Sequence, residues 1–126
     1  QEAMQSVVPD ALESARSFVA LATIRHRQER YAYAETLLRR CLNYLDQMKS
    51  PEFSIRTRAS RMLASSLQRL GRDDEAETLL KNTLTLLQDS LGPQEPLTRL
   101  IADDLRLVYQ RTGRTEEAAV LPAPAP

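Results

Sequence analysis

Apolar residues recur at spacings of three and four over most of this chain, and that spacing predicts helices. Leu12, Ala15, Phe18, Val19 and Ala22 form one stripe of a helix from Ala11 to about Arg27. Asp10 followed by Glu13 has the capping-box spacing at its start. Residues 1–9 carry too little pattern to assign beyond a leftover helical turn. After the polar turn Gln28-Glu29-Arg30, a second helix (Tyr31 to Lys49) carries Ala34, Leu37, Leu38, Cys41, Leu42, Leu45 and Met48 on one stripe. Ser50-Pro51 then reads as stop and start, serine as a cap and proline at a first helical position. The third helix spans roughly Glu52 to Leu70 and ends at Gly71, which can take the left-handed conformation of a helix stop. The fourth opens on Asp73-Asp74-Glu75, acids where the helix dipole favours them, and runs to about Leu91. Leu91-Gly92-Pro93-Gln94-Glu95-Pro96 breaks it. A fifth helix from Leu97 to Thr112 follows, with Leu100, Ile101, Leu105, Leu107, Val108 and Tyr109 apolar. Gly113-Arg114-Thr115 turns the chain into a short helix from Glu116, cut off by Pro122. Pro122-Ala123-Pro124-Ala125-Pro126 reads as an extended, mobile tail.

The pattern repeats. Ala34-Glu35-Thr36-Leu37-Leu38 returns 42 positions later as Ala76-Glu77-Thr78-Leu79-Leu80. The same step carries Leu63 to Leu105, Leu67 to Tyr109, Gly71 to Gly113, Ala76 to Ala118 and Pro51 to Pro93. A fixed period in this range marks a solenoid, in which each unit buries its apolar face on the next. The expected fold is all-α, an α-solenoid of about two and a half stacked antiparallel helix pairs. Its expected parts are an N-terminal segment (1–9), units over 10–50, 51–92 and 93–121, and a tail over 122–126. Ala64 and Ala76 fall where paired helices cross, a place that takes only a small side chain.

At these residues the chain resembles the tetratricopeptide repeat, in the 42-residue form of kinesin light chains. The second unit supplies Leu63-Ala64, Leu67, Gly71, Ala76 and Leu91-Gly92-Pro93 with Pro96; the third supplies Leu105, Tyr109, Gly113 and Ala118. The first supplies Leu21-Ala22 and Ala34, but Arg25 and Glu29 stand in place of the aromatic and the glycine, so this unit is degenerate or its turn is built differently. Glu95 replaces the linker histidine and Arg106 a small alanine. The resemblance covers about residues 12–121. It implies a right-handed superhelix whose first helices line a concave groove that takes an extended peptide or a helix.

Composition narrows the partner. The 42% hydrophobic and 27% charged residues are those of a globular chain. Seventeen basic and seventeen acidic residues cancel, and charge is mixed along the chain, with nine basic against seven acidic over residues 1–60. Nothing electrostatic favours nucleic acid or an anionic membrane. Fifteen of the basic residues are arginine, a bias associated with GC-rich bacterial coding sequences. Cys41 is alone, which excludes an internal disulfide; it matches Thr83 in the repeat and reads as a buried structural thiol. No run of about 20 apolar residues could span a bilayer. No leader pattern is visible, which points to the cytoplasm. The chain opens on Gln1 without a methionine, so an extracytoplasmic place stays open.

With Leu21, Leu63 and Leu105 on the core side, the opposite faces collect Arg16, Val19, Thr23 and His26, then Arg58, Arg61, Ser65 and Gln68, then Leu100, Asp103, Leu107 and Gln110. That groove is expected to be basic at one end and acidic-to-apolar at the other. Arg16, Arg58 and Arg61 could fork onto a partner's carboxylates. The plainer reading is a solvated face with local pairs such as Arg69 with Asp73. Members of the family that clamp a C-terminal carboxylate use lysine and asparagine where Val19, Thr23 and Arg61 stand, so that activity is not implied here.

Catalysis finds little footing. His26 is a lone histidine between two arginines, and Asp103-Asp104 point about 100° apart on a helix. No serine has a readable base, no glycine-rich phosphate loop occurs, and no ligand set has metal spacing. The expectation is a non-enzyme with no cofactor or metal, binding a protein or peptide. Self-association through the end helices, a regulatory role within a larger protein, and ligand sensing for a transcription regulator are the alternatives.

Overall fold

A computed structural model describes residues 2–49 and 52–123, and these residues hold six helices and no strand. They are α1 (Glu2–Arg27), α2 (Tyr31–Met48), α3 (Phe53–Arg69), α4 (Asp73–Leu91), α5 (Pro96–Arg111) and α6 (Thr115–Ala119). Each helix packs on the next. In addition α1 packs on α3 and α3 on α5, whereas the backbones of α2 and α4 stay apart. The first helices of the pairs therefore form the closer, concave wall, and the second helices are spread around the outside.

The stripes close as the period requires. Leu38, Cys41 and Leu45 of α2, Leu63 and Leu67 of α3, Leu80 and Leu87 of α4, and Ile101 and Leu105 of α5 are all fully buried. Small residues sit at the crossings: Ala22 and Ala64 on the first helices, Ala34, Ala76 and Ala118 on the second. Burial pushes the Cys41 thiol up to about 11, against the pull of Arg56, so it stays protonated and inert in the core.

Two boundaries differ from expectation. α1 begins at Glu2, not near Ala11, because Glu2-Ala3-Met4-Gln5 are themselves good helix formers and the Asp10–Glu13 spacing lies inside the helix. Of the expected tail, residues 124–126 lie outside the described residues; at its start the Pro122 carbonyl accepts from Arg106, next to Leu121 packed against the core. The capping role assigned to Ser50 and Pro51 lies outside the described residues; α3 starts at Phe53. Proline does open α5, where Pro96 holds the first position and its missing N–H costs nothing.

The three hairpin turns are built alike. Gly71 and Gly113 take φ of 78° and 73°, and Glu29 takes 61° at the equivalent place. In each the following amide reaches back across the helix end: Arg30 to the Arg25 carbonyl, Arg72 to Leu67 and Arg114 to Tyr109, all at 2.8 Å. So the first turn, although its glycine is gone, is not built differently. A glutamate in the left-handed region carries a cost that glycine escapes. Glu29→Gly is expected to raise stability by about 0.5–1 kcal/mol, after glycine's own entropic penalty. Urea denaturation followed by circular dichroism measures it, and a lower midpoint would refute this account of the turn.

Candidate partner-binding groove

The concave wall encloses an open groove of about 800 Å³ between α3 and α5, with His26 of α1 at one end. Its apolar lining comes from Met62, Ala64, Leu80, Leu97, Leu100 and Leu107. Leu107 is the most open of these, 57% exposed, whereas Leu105 on the same helix is fully buried. The polar lining is Ser54, Thr57, Ser65, Gln68 and Asp104, with the cations Arg58, Arg61 and Arg111.

The cations are not equivalent. Arg61 is committed to Asp104 through Nε at 2.8 Å and Nη2 at 3.3 Å, a forked pair that holds α3 to α5 across the groove floor. Arg58 and Arg111 are exposed and have no ion-pair partner among the described residues. They stand near opposite ends of the wall: Arg111 is equivalent to Arg69, eleven residues beyond Arg58, roughly 16 Å along a helix. His26 Nε2 lies 3.2 Å from Ser65 Oγ, and its ring meets Tyr31 edge-on at 5.1 Å. Burial, then the Arg69 guanidinium, lower its pKa below the ordinary value, which favours the neutral ring.

Of the predicted groove residues, His26, Arg58, Arg61, Ser65, Gln68, Leu100 and Leu107 are brought together. The other five are not. Val19 is buried, 4% exposed, because α1 packs on both α2 and α3 and its apolar stripe is wide enough to turn residue 19 inward. Thr23 donates to the Val19 carbonyl and lies against Met62 Sδ at 3.8 Å, inside the α1–α3 seam. Arg16 lies off the groove beside Glu13, Asp103 turns away to Arg106 at 2.6 Å, and Gln110 lines a shallower hollow near α6. Arg69 does not pair with Asp73; its guanidinium sits 5.8 Å from the centre of the Tyr31 ring. The groove is therefore apolar between the cations Arg58 and Arg111, where the expectation was basic at one end and acidic-to-apolar at the other.

The contacts across the seams explain part of the mismatch. Side chains that meet across a seam come from opposite flanks of neighbouring helices, so they are not one period apart. Thr23 meets Met62 and His26 meets Ser65 at a separation of 39, while Arg61 meets Asp104 at 43. Shifting each groove residue by 42 names the equivalent residue, and that residue faces the next seam. Met62 and Asp104 were missed for this reason; Ser54, Thr57, Leu97 and Arg111 also line the groove outside the predicted set.

The model of the tetratricopeptide repeat family matches residues 56–121, from α3 through α6. The chain belongs to this family. No curated protein matches the chain. Tetratricopeptide arrays are non-catalytic folds that generally mediate protein–protein interaction. No helix among the described residues is long and apolar enough to cross a membrane, and no cluster of metal-ligating side chains occurs among them.

Proposed function

We propose that the groove between α3 and α5 holds an extended segment of a partner protein, with apolar side chains against Leu100 and Leu107 and carboxylates at Arg58 and Arg111. The observation that carries this reading is the exposed Leu107 on a concave wall between two arginines that have no partner among the described residues. A protein surface has little reason to leave Leu107 open in a concavity unless something covers it. The cations are offset by roughly 16 Å along the helix direction, with the step from α3 to α5 besides, so a bound extended segment needs at least about five residues to reach both. The favoured ligand is thus a short acidic–apolar–acidic stretch. Orientation comes from the charges and affinity from the leucines.

The variant pair to use is Arg58→Glu and Arg111→Glu. Arg61 is unsuitable, because reversing its charge beside Asp104 breaks the α3–α5 bridge and confounds binding with folding. Ten-residue peptides with an apolar centre and acidic flanks, titrated by fluorescence anisotropy, are expected to bind the parent chain and to weaken about tenfold or more with each reversal. Circular dichroism should show the fold unchanged. Binding indifferent to both arginines, or absent for every acidic peptide, would reject the proposal.

A further inference from the structure

Arginine occupies the residue before each second helix, and the 42-residue step relates all three: Arg30, Arg72 and Arg114. Their backbones agree, with φ of −94°, −107° and −94° and ψ of 69°, 60° and 66°. Two of them make the same contact. Arg72 donates from Nη1 to Glu35 Oε1 at 2.6 Å, and Arg114 donates from both terminal nitrogens to the Glu77 carboxylate, with Nη1 at 3.0 Å. Each separation is 37 residues, so each guanidinium reaches back to the preceding hairpin. These pairs bridge second helices whose backbones stay apart. Arg30 has the same backbone, is exposed, and has no partner among the described residues. By the same rule its acceptor belongs to a hairpin ahead of α1.

Burial tells the same story independently. Ala59 and Ile101 are fully buried, as are Ser66 and Val108 to within a few per cent. Their equivalents one unit earlier, Ser17 and Ile24, are exposed, Ile24 to 49%. What distinguishes the two later units is a hairpin stacked in front of them. Tyr33, 45% exposed, likewise stands where Glu75 accepts from Arg39 of the preceding hairpin.

A second copy of this chain does not fit that face. Head to head it would set Arg30 against Arg30. Head to tail it would offer Ala119, which stands where Glu35 and Glu77 stand in the earlier units, behind a face already covered by Leu121 and the Arg106–Pro122 contact.

We infer that the face formed by Ser17, Ile24, Arg30 and Tyr33 is a docking surface for a preceding hairpin of the same repeat type, which supplies a glutamate to Arg30. The α3–α4 hairpin with its linker, residues 52–95, is a suitable probe because it carries Glu77. Joined to Leu12, which is equivalent to Pro96, in place of residues 1–11, where α1 runs ahead of the repeat register, it enters in the register α4 has before α5. The extended chain is expected to gain the helix content of the added hairpin and to unfold at higher urea than the original. Arg30→Glu should leave the original chain's midpoint in place and return the extended chain's midpoint towards it. Glu77→Arg in the copied hairpin should then restore the loss. An added hairpin that stays unfolded, or one whose stability ignores Arg30→Glu, overturns the inference. So does a dimer of the original chain, seen by sedimentation, that Arg30→Glu dissolves, since it would put a second copy on that face.

Discussion

Leu63→Ala is expected to lower the stability of the chain by about 2–5 kcal/mol, the range for a leucine truncated in a core that cannot collapse around the gap. Leu63 is 1% exposed and lies in the middle of α3. Among the described residues α3 is the one helix that packs on four others, α1, α2, α4 and α5. A cavity there is walled on every side by elements that hold one another in place. Leu21, the equivalent residue in α1, is half-buried and borders fewer neighbours, so Leu21→Ala should cost distinctly less. Against a typical total of about 5–15 kcal/mol, the Leu63 loss is a large share of what keeps the chain folded. Paired urea titrations of the two variants check this. Equal losses would mean that the central hairpin is no better enclosed than the first.

The helices were legible because their apolar spacing is carried by leucines and alanines whose burial leaves no alternative face. Leu37, Leu38, Cys41 and Leu45 can share one side only if α2 is a helix, and the structure buries all four. The period was legible because residues of unusual type recur with it: Gly71 with Gly113, Ala34 with Ala76. The groove was legible only in part. A side chain's flank decides what it meets, and residues one position apart, such as Asp103 and Asp104, differ: Asp104 accepts from Arg61 across the α3–α5 seam, Asp103 from Arg106 on its own helix. No sequence rule at single-residue resolution separates them, since a 100° turn of the helix is within the tolerance of the stripe. Glu29 gave no sign of its left-handed backbone because the type of residue argues against it; only the two later turns, built on glycine, reveal what the first must do. The arginine ladder was present in the spacing of Arg30, Arg72 and Arg114. It acquired meaning from the 37-residue reach to Glu35 and Glu77, which joins helices that the period treats as separate. Its carboxylates are held below the ordinary range, Glu77 chiefly by hydrogen bonding to Arg114 against an opposing push from burial.

Ala76→Leu is the second substitution expected to act strongly, and it links the packing to the groove. Ala76 is fully buried on α4 where that helix crosses α3, and three added carbons there must force the two helices apart or into poor rotamers, at about 1–3 kcal/mol. Ala118 is the equivalent residue on α6, which is five residues long and packs on α5 alone, so Ala118→Leu has room to be absorbed and should cost less. Displacement at the Ala76 crossing has a second consequence. Leu80, one turn along the same helix, and Ala64 of α3 both contribute to the groove lining, and Arg61 of α3 must still reach Asp104 of α5. Separating α4 from α3 therefore opens the groove floor and strains the bridge that sets its width. The expected result for Ala76→Leu is a lowered urea midpoint together with weakened binding of acidic–apolar peptides, measured at a urea concentration where the variant is still fully folded. Ala118→Leu, at the far end of the array, should leave that affinity unchanged. If Ala76→Leu lost stability but kept full affinity, the α3–α4 crossing would not set the groove, and the binding surface would have to be drawn from α5 outward.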